Sequence, residues 1–301
     1  MSQKMSNSIS FIIPISNGEV FLSNQDRIFS QQSELDNQFI LVLDSLADST
    51  KEEIVNSLKD DQRDILIVEC EEKTAGGARN FGLNYVNRNW IVFCDSDDEP
   101  HIYNYERAVK KYPGNSIIIG EFEVFSKKTS NYRRIKNTKN TSRNVSQMIF
   151  NPGLWRMVFP ANVVKKSFFA HSNMGEDQSF LIDVLREKNI KIIFESSIFY
   201  RYVVDQSFQL TNNTEALDTL PISIAKSTNL LSEIEVPEFK MISKMLIGRM
   251  TLTSFTRRQM SNYDFKTKLR LFLILLEFMF NLPLYELNVK QYRRISSSQR
   301  T

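Results

Sequence analysis

The chain has 301 residues, of which 42% are hydrophobic and 24% are charged, a composition typical of a soluble globular protein with a sizeable core. No apolar run reaches the roughly 18 residues that span a bilayer, and the first ten residues lack the apolar stretch of a signal peptide. We therefore expect a cytoplasmic protein, neither secreted nor membrane-spanning.

Strand-like and helix-like segments alternate through the first part of the chain. The predicted strands are 9–15, 39–43 and 64–69, and the predicted helices are 20–32 and 51–58. Ser49 or Thr50 is the expected N-cap of the second helix. This alternation predicts an α/β fold with a doubly wound sheet of mainly parallel strands, which end together near positions 17, 44, 70 and 95. Further strands are predicted at 116–119, 121–125, 191–194 and 197–202.

An acidic turn follows the next strand-like run, WIVFC at residues 90–94. Its residues are Asp95, Ser96, Asp97 and Asp98. Because the carboxyl ends of strands line the ligand crevice of an open α/β sheet, these carboxylates should face a cleft, and carboxylates suit Mg²⁺ or Mn²⁺. The alternative is an ordinary solvated turn, in which Asp and Ser are common.

A glycine pair opens a predicted helix just before that strand, at Gly76-Gly77-Ala78-Arg79. A helix start offers free backbone N–H groups to an anion, and Arg79 can either hold a diphosphate or pair with Asp95. The segment matches neither the P-loop nor the GxGxxG dinucleotide pattern, so it indicates a different kind of phosphate site.

The order of these motifs resembles family 2 glycosyltransferases of the GT-A fold. SISFIIPISN at 8–17 resembles the first strand of that family, and QFILVLDSLADST at 38–50 resembles its second strand with an acidic turn. Gly175-Glu176-Asp177 resembles the acidic pair that carries the catalytic base, and Phe199-Tyr200-Arg201 resembles a late aromatic–arginine segment. The resemblance is good over about 8–125 and looser over 150–207. Ser45 departs from it, since the family often has a second acid there.

The resemblance implies a role for each site residue. Asp177 is the expected base, with Glu176 second, and Asp97 with Asp95 would hold Mg²⁺ or Mn²⁺. The residues expected to bind the donor are Pro14, Asn17, Asp44, Gly76, Gly77, Arg79, Asp95, Ser96 and Arg201. The residues expected to bind the acceptor are Trp155 and Asp98.

Structural explanations compete with three of these roles. Asp44 is either a ligand of the nucleotide or a turn acid that caps the next helix. Glu176 and Asp177 are either catalytic or N-terminal helix acids, and Trp155 either stacks on a sugar or belongs to the core.

The predicted organisation is a transferase domain at 1–210, with a donor half at 8–125 and an acceptor half at 126–210, followed by a helical extension at 211–301. Residues 126–144 carry seven Lys or Arg and no acid, and form either a solvated hairpin or a loop that faces an anionic acceptor. Residues 257–301 carry nine Lys or Arg and three Asp or Glu. Helix 266–280 docks on the core, pairs with another chain or lies on a membrane surface.

We therefore predict a metal-dependent, inverting glycosyltransferase. It would move a sugar from a nucleoside-diphosphate donor, expected to be a UDP-sugar, to a hydroxyl of a glycan or lipid-linked acceptor in bacterial surface polysaccharide synthesis. Peripheral membrane contact through 257–301 and a homodimer fit this prediction, whereas a nucleic-acid partner does not. The alternatives are a nucleotidyltransferase, or a non-catalytic module that binds glycans or cations.

Overall fold

A computed structural model describes residues 7–30, 33–205, 214–256 and 263–280. Nine strands of this part of the chain form one mixed sheet in the order β3-β2-β1-β4-β8-β6-β9-β5, with β7 paired to β6. The strands are β1 (Ile9–Ile15), β2 (Gln38–Asp44), β3 (Asp64–Cys70), β4 (Trp90–Phe93), β5 (Glu99–Pro100), β6 (Ser116–Ser126), β7 (Asn131–Ile135), β8 (Met157–Pro160) and β9 (Lys191–Val204).

Helices cover both faces of the sheet. They are α1 (Gly18–Phe29), α2 (Asp48–Ser57), α3 (Ala75–Leu83), α4 (Ile102–Lys111), α5 (Thr141–Phe150), α6 (Ala161–Val164), α7 (Glu176–Val184), α8 (Thr214–Leu217), α9 (Leu220–Leu230) and α10 (Pro237–Thr256), and α11 at residues 265–280. None of the helices in the described ranges is long and apolar enough to cross a membrane.

The strands β1 to β4 pair in parallel and form the parallel half of the sheet. Strand β1 lies between β2 and β4. Its side chains alternate between two hydrophobic clusters. Ile12 belongs to one cluster, with Phe93 and Phe180, and Phe11 belongs to the other, with Tyr105. Because both faces are covered, β1 reads as a nearly continuous apolar run. The predicted parallel strands and their common edge are therefore confirmed.

Two predicted breaks are absent, because β6 and β9 are each continuous where the sequence suggested two strands. The parallel pairing of β6 with β9 shifts register on either side of Glu121, which is a β-bulge at the predicted break. Gly120 is required there, since a β-carbon would lie 2.2 Å from the ring of Phe199.

The predicted cap of α2 is wrong. The helix begins at Asp48 after Ala47, which makes no side-chain capping bond, so Ser49 and Thr50 lie inside the first turn. Thr50 instead packs against Gly18 of α1, where an added β-carbon would lie 2.1 Å from its methyl group.

Residues 214–256 and 265–280, the described part of the predicted C-terminal extension, are mainly helical and share a core with the sheet. Leu246 of α10 and Phe278 of α11 share a hydrophobic cluster with Phe180 of α7. The division of the chain at residue 210 stays a prediction.

Candidate active site

The site lies where β1, β2 and β4 end and where α3 and α7 begin. Asn17 follows β1, Asp44 ends β2 and Asp95 follows β4. These residues come together at one edge because their strands are parallel neighbours. Helix α3 adds Arg79 from its second turn, and the N-terminus of α7 adds the acidic pair Glu176 and Asp177.

Arg79 is the centre of the site. Its side chain is only 6% exposed, and Nη2 donates to Asp95 Oδ1 at 2.8 Å. Nη1 donates to Glu176 Oε1 and to Asp177 Oδ1, both at 3.2 Å. The pairing of Arg79 with Asp95 that the sequence suggested is present. The same guanidinium also joins the acidic turn to the acidic pair, which are far apart in sequence.

The start of α3 is held by side chains. Thr74 caps the helix by accepting the N–H of Gly77 at 3.0 Å, and Asn173 accepts the N–H of Ala75 at 3.3 Å. Two of the N–H groups expected to be free for an anion are therefore already bonded. A β-carbon at Gly76 would lie 2.2 Å from the carbonyl oxygen of Ala170, so Gly76 lets the helix pack closely on that backbone.

Replacing Gly76 by Ala should destabilise the protein by about 1–3 kcal/mol, the usual range for overpacking. The matched control is Gly114→Ala, because a β-carbon at Gly114 meets nothing within 4 Å. Chemical denaturation of both variants measures the difference. Equal free energies of unfolding for the two variants would contradict the close packing at Gly76.

The acidic turn is fixed from both sides. Asn24 of α1 donates to the carbonyl oxygens of Ser96 at 3.2 Å and Asp98 at 2.7 Å. On the other side, the N–H of Asp95 donates to the hydroxyl of Tyr200 at 2.9 Å. The main chain of the turn is therefore positioned by α1 and β9 together.

Asp98 does not face the cleft. It is 1% exposed, and its Oδ1 accepts the N–H of Val203 at 2.7 Å. Its predicted contact with an acceptor is inconsistent with this burial, and the residue serves to attach the turn to β9. Asp98 is therefore a structural residue, and the other two carboxylates of the turn, Asp95 and Asp97, remain candidates for metal binding.

Asp95 and Asp97 are the carboxylates of the turn that suit a divalent ion. Burial, and then the negative charge of Asp95, raises the pKa of Asp97 to about 6. The described residues contain no group of three or more His, Cys, Asp or Glu that could hold a metal. Two carboxylates nonetheless fit Mg²⁺ or Mn²⁺, which commonly take one or two protein carboxylates and complete their shell with phosphate oxygens and water.

Trp155 is packed among aromatic side chains. It stacks on Tyr200 with ring centroids 4.6 Å apart and on Tyr202 at 5.6 Å, and Phe122 meets it edge-on at 4.8 Å. This packing favours the core interpretation over stacking on a sugar.

Asp44 accepts hydrogen bonds from residues of two neighbouring turns. Its Oδ1 accepts the N–H of Lys73 at 3.1 Å and the hydroxyl of Ser45 at 3.0 Å, and both neighbours have positive φ. The alternative in which Asp44 caps the next helix is wrong, because Ala47 occupies that position.

Three other residues were predicted to bind the donor. Two of them make structural contacts within the protein, and the third is half-buried at the end of a strand. Asn17 caps α1 by accepting the N–H of Val20 at 3.1 Å, and Pro14 lies half-buried near the end of β1. Arg201 pairs with Glu99 at 2.7 Å and Glu123 at 3.3 Å, so its guanidinium joins β5 and β6.

Tyr200, Thr74 and Asn173 help to position the site, although no role was predicted for them from the sequence. A threonine before two glycines and an alanine is an N-cap signal that could have identified Thr74. The other two act across more than ninety residues of sequence, and no local pattern indicates such a contact.

Asp177 combines a raised pKa with a fixed orientation. Burial raises the pKa to about 7, with Arg79 opposing the shift and Glu176 adding to it. Arg79 holds Oδ1, and the N–H of Leu154 lies 3.4 Å from Oδ2. A carboxylate with a pKa near neutrality can accept a proton at working pH.

We expect kcat/KM to rise as pH increases through about 7, because only ionised Asp177 can accept a proton. The effect on stability has the opposite sign. The folded pKa of about 7 exceeds the unfolded value of 3.8, so this group stabilises the fold below pH about 4 and loses that contribution as pH rises through about 7. A rate profile that is flat from pH 6 to 8 would contradict the assignment of Asp177 as the base.

Comparisons with known proteins identify the family of the chain. The model of "Glycosyl transferase family 2" matches residues 10–171, which is more than half of the chain. The chain therefore belongs to glycosyl transferase family 2.

Curated relatives are distant and bacterial. A teichoic acid poly(glycerol phosphate) polymerase of Staphylococcus epidermidis is 22% identical over 71% of this chain and 31% of its own length. A GalNAc(5)-diNAcBac-PP-undecaprenol beta-1,3-glucosyltransferase of Campylobacter jejuni is 24% identical over 61% of this chain and 62% of its own length. The chain spans about a third of the length of the first of these relatives.

Solved structures show the same fold. The structure of TarS residues 1–349 from S. aureus in complex with UDP-GlcNAc has a TM-score of 0.66 at 15% identity, over 90% of this chain and 80% of that one. The mannosyltransferase PcManGT from Pyrobaculum calidifontis, in complex with GDP-Man and Mn²⁺, has a TM-score of 0.55 at 12% identity, over 93% and 88%. The mixed sheet flanked by helices is thus a GT-A-type fold.

Proposed function

We propose that the protein transfers a sugar from a nucleoside-diphosphate donor to a hydroxyl group, with inversion at the anomeric carbon. The observation that carries this proposal is the bridge made by Arg79 between Asp95 of the acidic turn and Asp177 of α7. It holds the predicted donor side and the predicted base at a fixed separation, as a displacement reaction requires.

In this reaction Asp177, on one side of Arg79, acts on the acceptor, and the acidic turn, on the other side, acts on the donor. Asp177 takes the proton of the acceptor hydroxyl while that oxygen forms a bond to the anomeric carbon. The bond between this carbon and the diphosphate oxygen breaks, and the nucleoside diphosphate leaves from the opposite face. Arg79 holds Oδ1 at 3.2 Å, and the N–H of Leu154 makes only a long contact of 3.4 Å with Oδ2, so Oδ2 is the oxygen that we assign to the proton.

A divalent ion, when bound, would neutralise the leaving diphosphate as a Lewis acid. Asp97 and Asp95 are the residues that we propose to hold it. Asp44 would contact the nucleoside, because it ends β2 at the same edge of the sheet as Asp95. Because Asp98 is only 1% exposed, we assign no carboxylate of the turn to the acceptor.

The donor and acceptor classes are inferred from the neighbours. TarS in complex with UDP-GlcNAc supports a UDP-sugar, and PcManGT with GDP-Man and Mn²⁺ supports the metal. Two relatives support an acceptor in bacterial surface glycan synthesis, either a glycan or a lipid-linked sugar. One is the teichoic acid polymerase, and the other is the glucosyltransferase whose name contains GalNAc(5)-diNAcBac-PP-undecaprenol.

The experiment is a turnover assay of the full chain with a panel of UDP-, GDP-, CMP- and dTDP-sugars. We expect release of the nucleotide from one donor class, and loss of that release in EDTA. Nucleotide-sugars that all remain intact, together with pyrophosphate released from a nucleoside triphosphate and a sugar phosphate, would instead indicate a nucleotidyltransferase.

A further inference from the structure

Helix α11, at residues 265–280, is apolar on two opposite faces. The inner face joins the core through buried Leu271, Ile274, Leu275 and Phe278. The outer face exposes the large apolar side chains of Phe265, Leu269, Phe272, Leu273, Met279 and Phe280. A surface helix normally carries polar residues on its outer face, so docking on the core explains only half of this sequence.

The outer residues form one continuous stripe. Spacings of four, three and one separate Phe265, Leu269, Phe272 and Leu273, and such positions lie on one side of a helix. Phe272 and Leu273 are 51% and 57% exposed. A contiguous exposed apolar patch of this kind marks an interaction surface.

Two lysines flank the stripe. At 100° per residue, Lys266 lies on one side of Phe265 and Lys268 on the other. No carboxylate in the described ranges forms a salt bridge with either ammonium group, whereas Lys244 of α10 pairs with Glu277 of α11 at 2.8 Å. Lysines beside an apolar stripe can extend their charged ends towards lipid headgroups while their stems stay among apolar groups.

We propose that the outer face of α11 binds an anionic lipid surface. The charge of the surrounding sequence supports this occupant, because residues 257–301 carry nine Lys or Arg against three Asp or Glu. A second copy in a two-fold interface would bring the same basic segments together. The chain's own residues 281–301 carry four Lys or Arg and one acid, so they also lack the charge that would complement these lysines.

The test is flotation of the full chain with vesicles at low salt. We expect binding to vesicles that contain phosphatidylglycerol and little binding to pure phosphatidylcholine. Phe272→Ser with Leu273→Ser should reduce the partition coefficient about tenfold or more, and Lys266→Gln with Lys268→Gln should reduce it mainly at low salt. The control is Val55→Ser, at a residue of α2 that is 48% exposed, which should bind as the wild type does.

Two results would overturn the proposal. One is wild-type protein that does not float with anionic vesicles, which would assign the face to a second copy or to the chain's own tail. The other is a doubly substituted Phe272/Leu273 protein that keeps its melting temperature and still binds fully. Vesicle binding is measured without turnover, so neither result depends on the proposed transfer reaction.

Discussion

Substitution of Asp177 by Asn should lower kcat by about 10²–10⁴-fold, the contribution usual for a general base, while leaving the affinity for the donor nearly unchanged. Asn has the shape of Asp, so it can still fill the space between Arg79 and Leu154. It cannot take the proton of the acceptor hydroxyl. Single-turnover kinetics and nucleotide titration together separate the loss of chemistry from a loss of binding.

The matched control is Glu176→Gln. Glu176 accepts from the same Nη1 atom of Arg79 at the same distance as Asp177, 3.2 Å. If Glu176→Gln lowers kcat strongly while Asp177→Asn does not, the roles of the two acids are exchanged. If Asp177→Asn turns over at the wild-type rate, Asp177 is not the base.

Replacing Arg79 by Met should destabilise the fold by about 3–5 kcal/mol, the range seen when one partner of a buried ion pair is removed. The reason is that Arg79 is almost fully buried and serves Asp95, Glu176 and Asp177 at once. Methionine fills part of the volume but leaves three neighbouring carboxylates without their cation. Chemical denaturation measures the free energy of unfolding.

Arg88→Met is the control for that experiment. Arg88 also contacts two carboxylates, Asp36 at 3.0 Å and Asp64 at 2.8 Å, but both are exposed to solvent. Exposed ion pairs contribute about 1 kcal/mol or less. Similar losses for Arg79→Met and Arg88→Met would show that the buried bridge is not the special feature of the site.

The parallel half of the fold could be predicted because its signals are local. Each of β1 to β4 is a short apolar run, and the residue type that follows each run is visible in the sequence. Parallel pairing then brings Asp44 and Asp95 to one edge without further information. The bulge at Gly120 could not be predicted, since it depends on the ring of Phe199, almost eighty residues away.

The sequence indicated the residues of the candidate site but not the contacts between them. Arg79 and Asp177 were both identified, yet their contact spans 98 residues and depends on how α7 packs. Asp97 and Asp98 are adjacent and identical in type, and the carboxylate of Asp98 is the one that bonds to β9, through the N–H of Val203 that lies 105 residues away in sequence. Likewise, the sequence allows Trp155 to stack on a sugar, but in the structure its ring stacks on Tyr200 and Tyr202.

The measurement that tests the central claim most directly is thermal stabilisation by UDP, GDP, CMP and dTDP, each with Mn²⁺ or with EDTA. A ligand that binds only the folded state adds about 2.7 kcal/mol of stability at 100 times its Kd. We predict that one nucleotide, with UDP expected, raises Tm only when Mn²⁺ is present, and that Asp97→Asn removes this shift. No shift with any nucleotide at millimolar concentration, or an equal shift in Asp97→Asn, would contradict the assignment of the acidic turn to the donor.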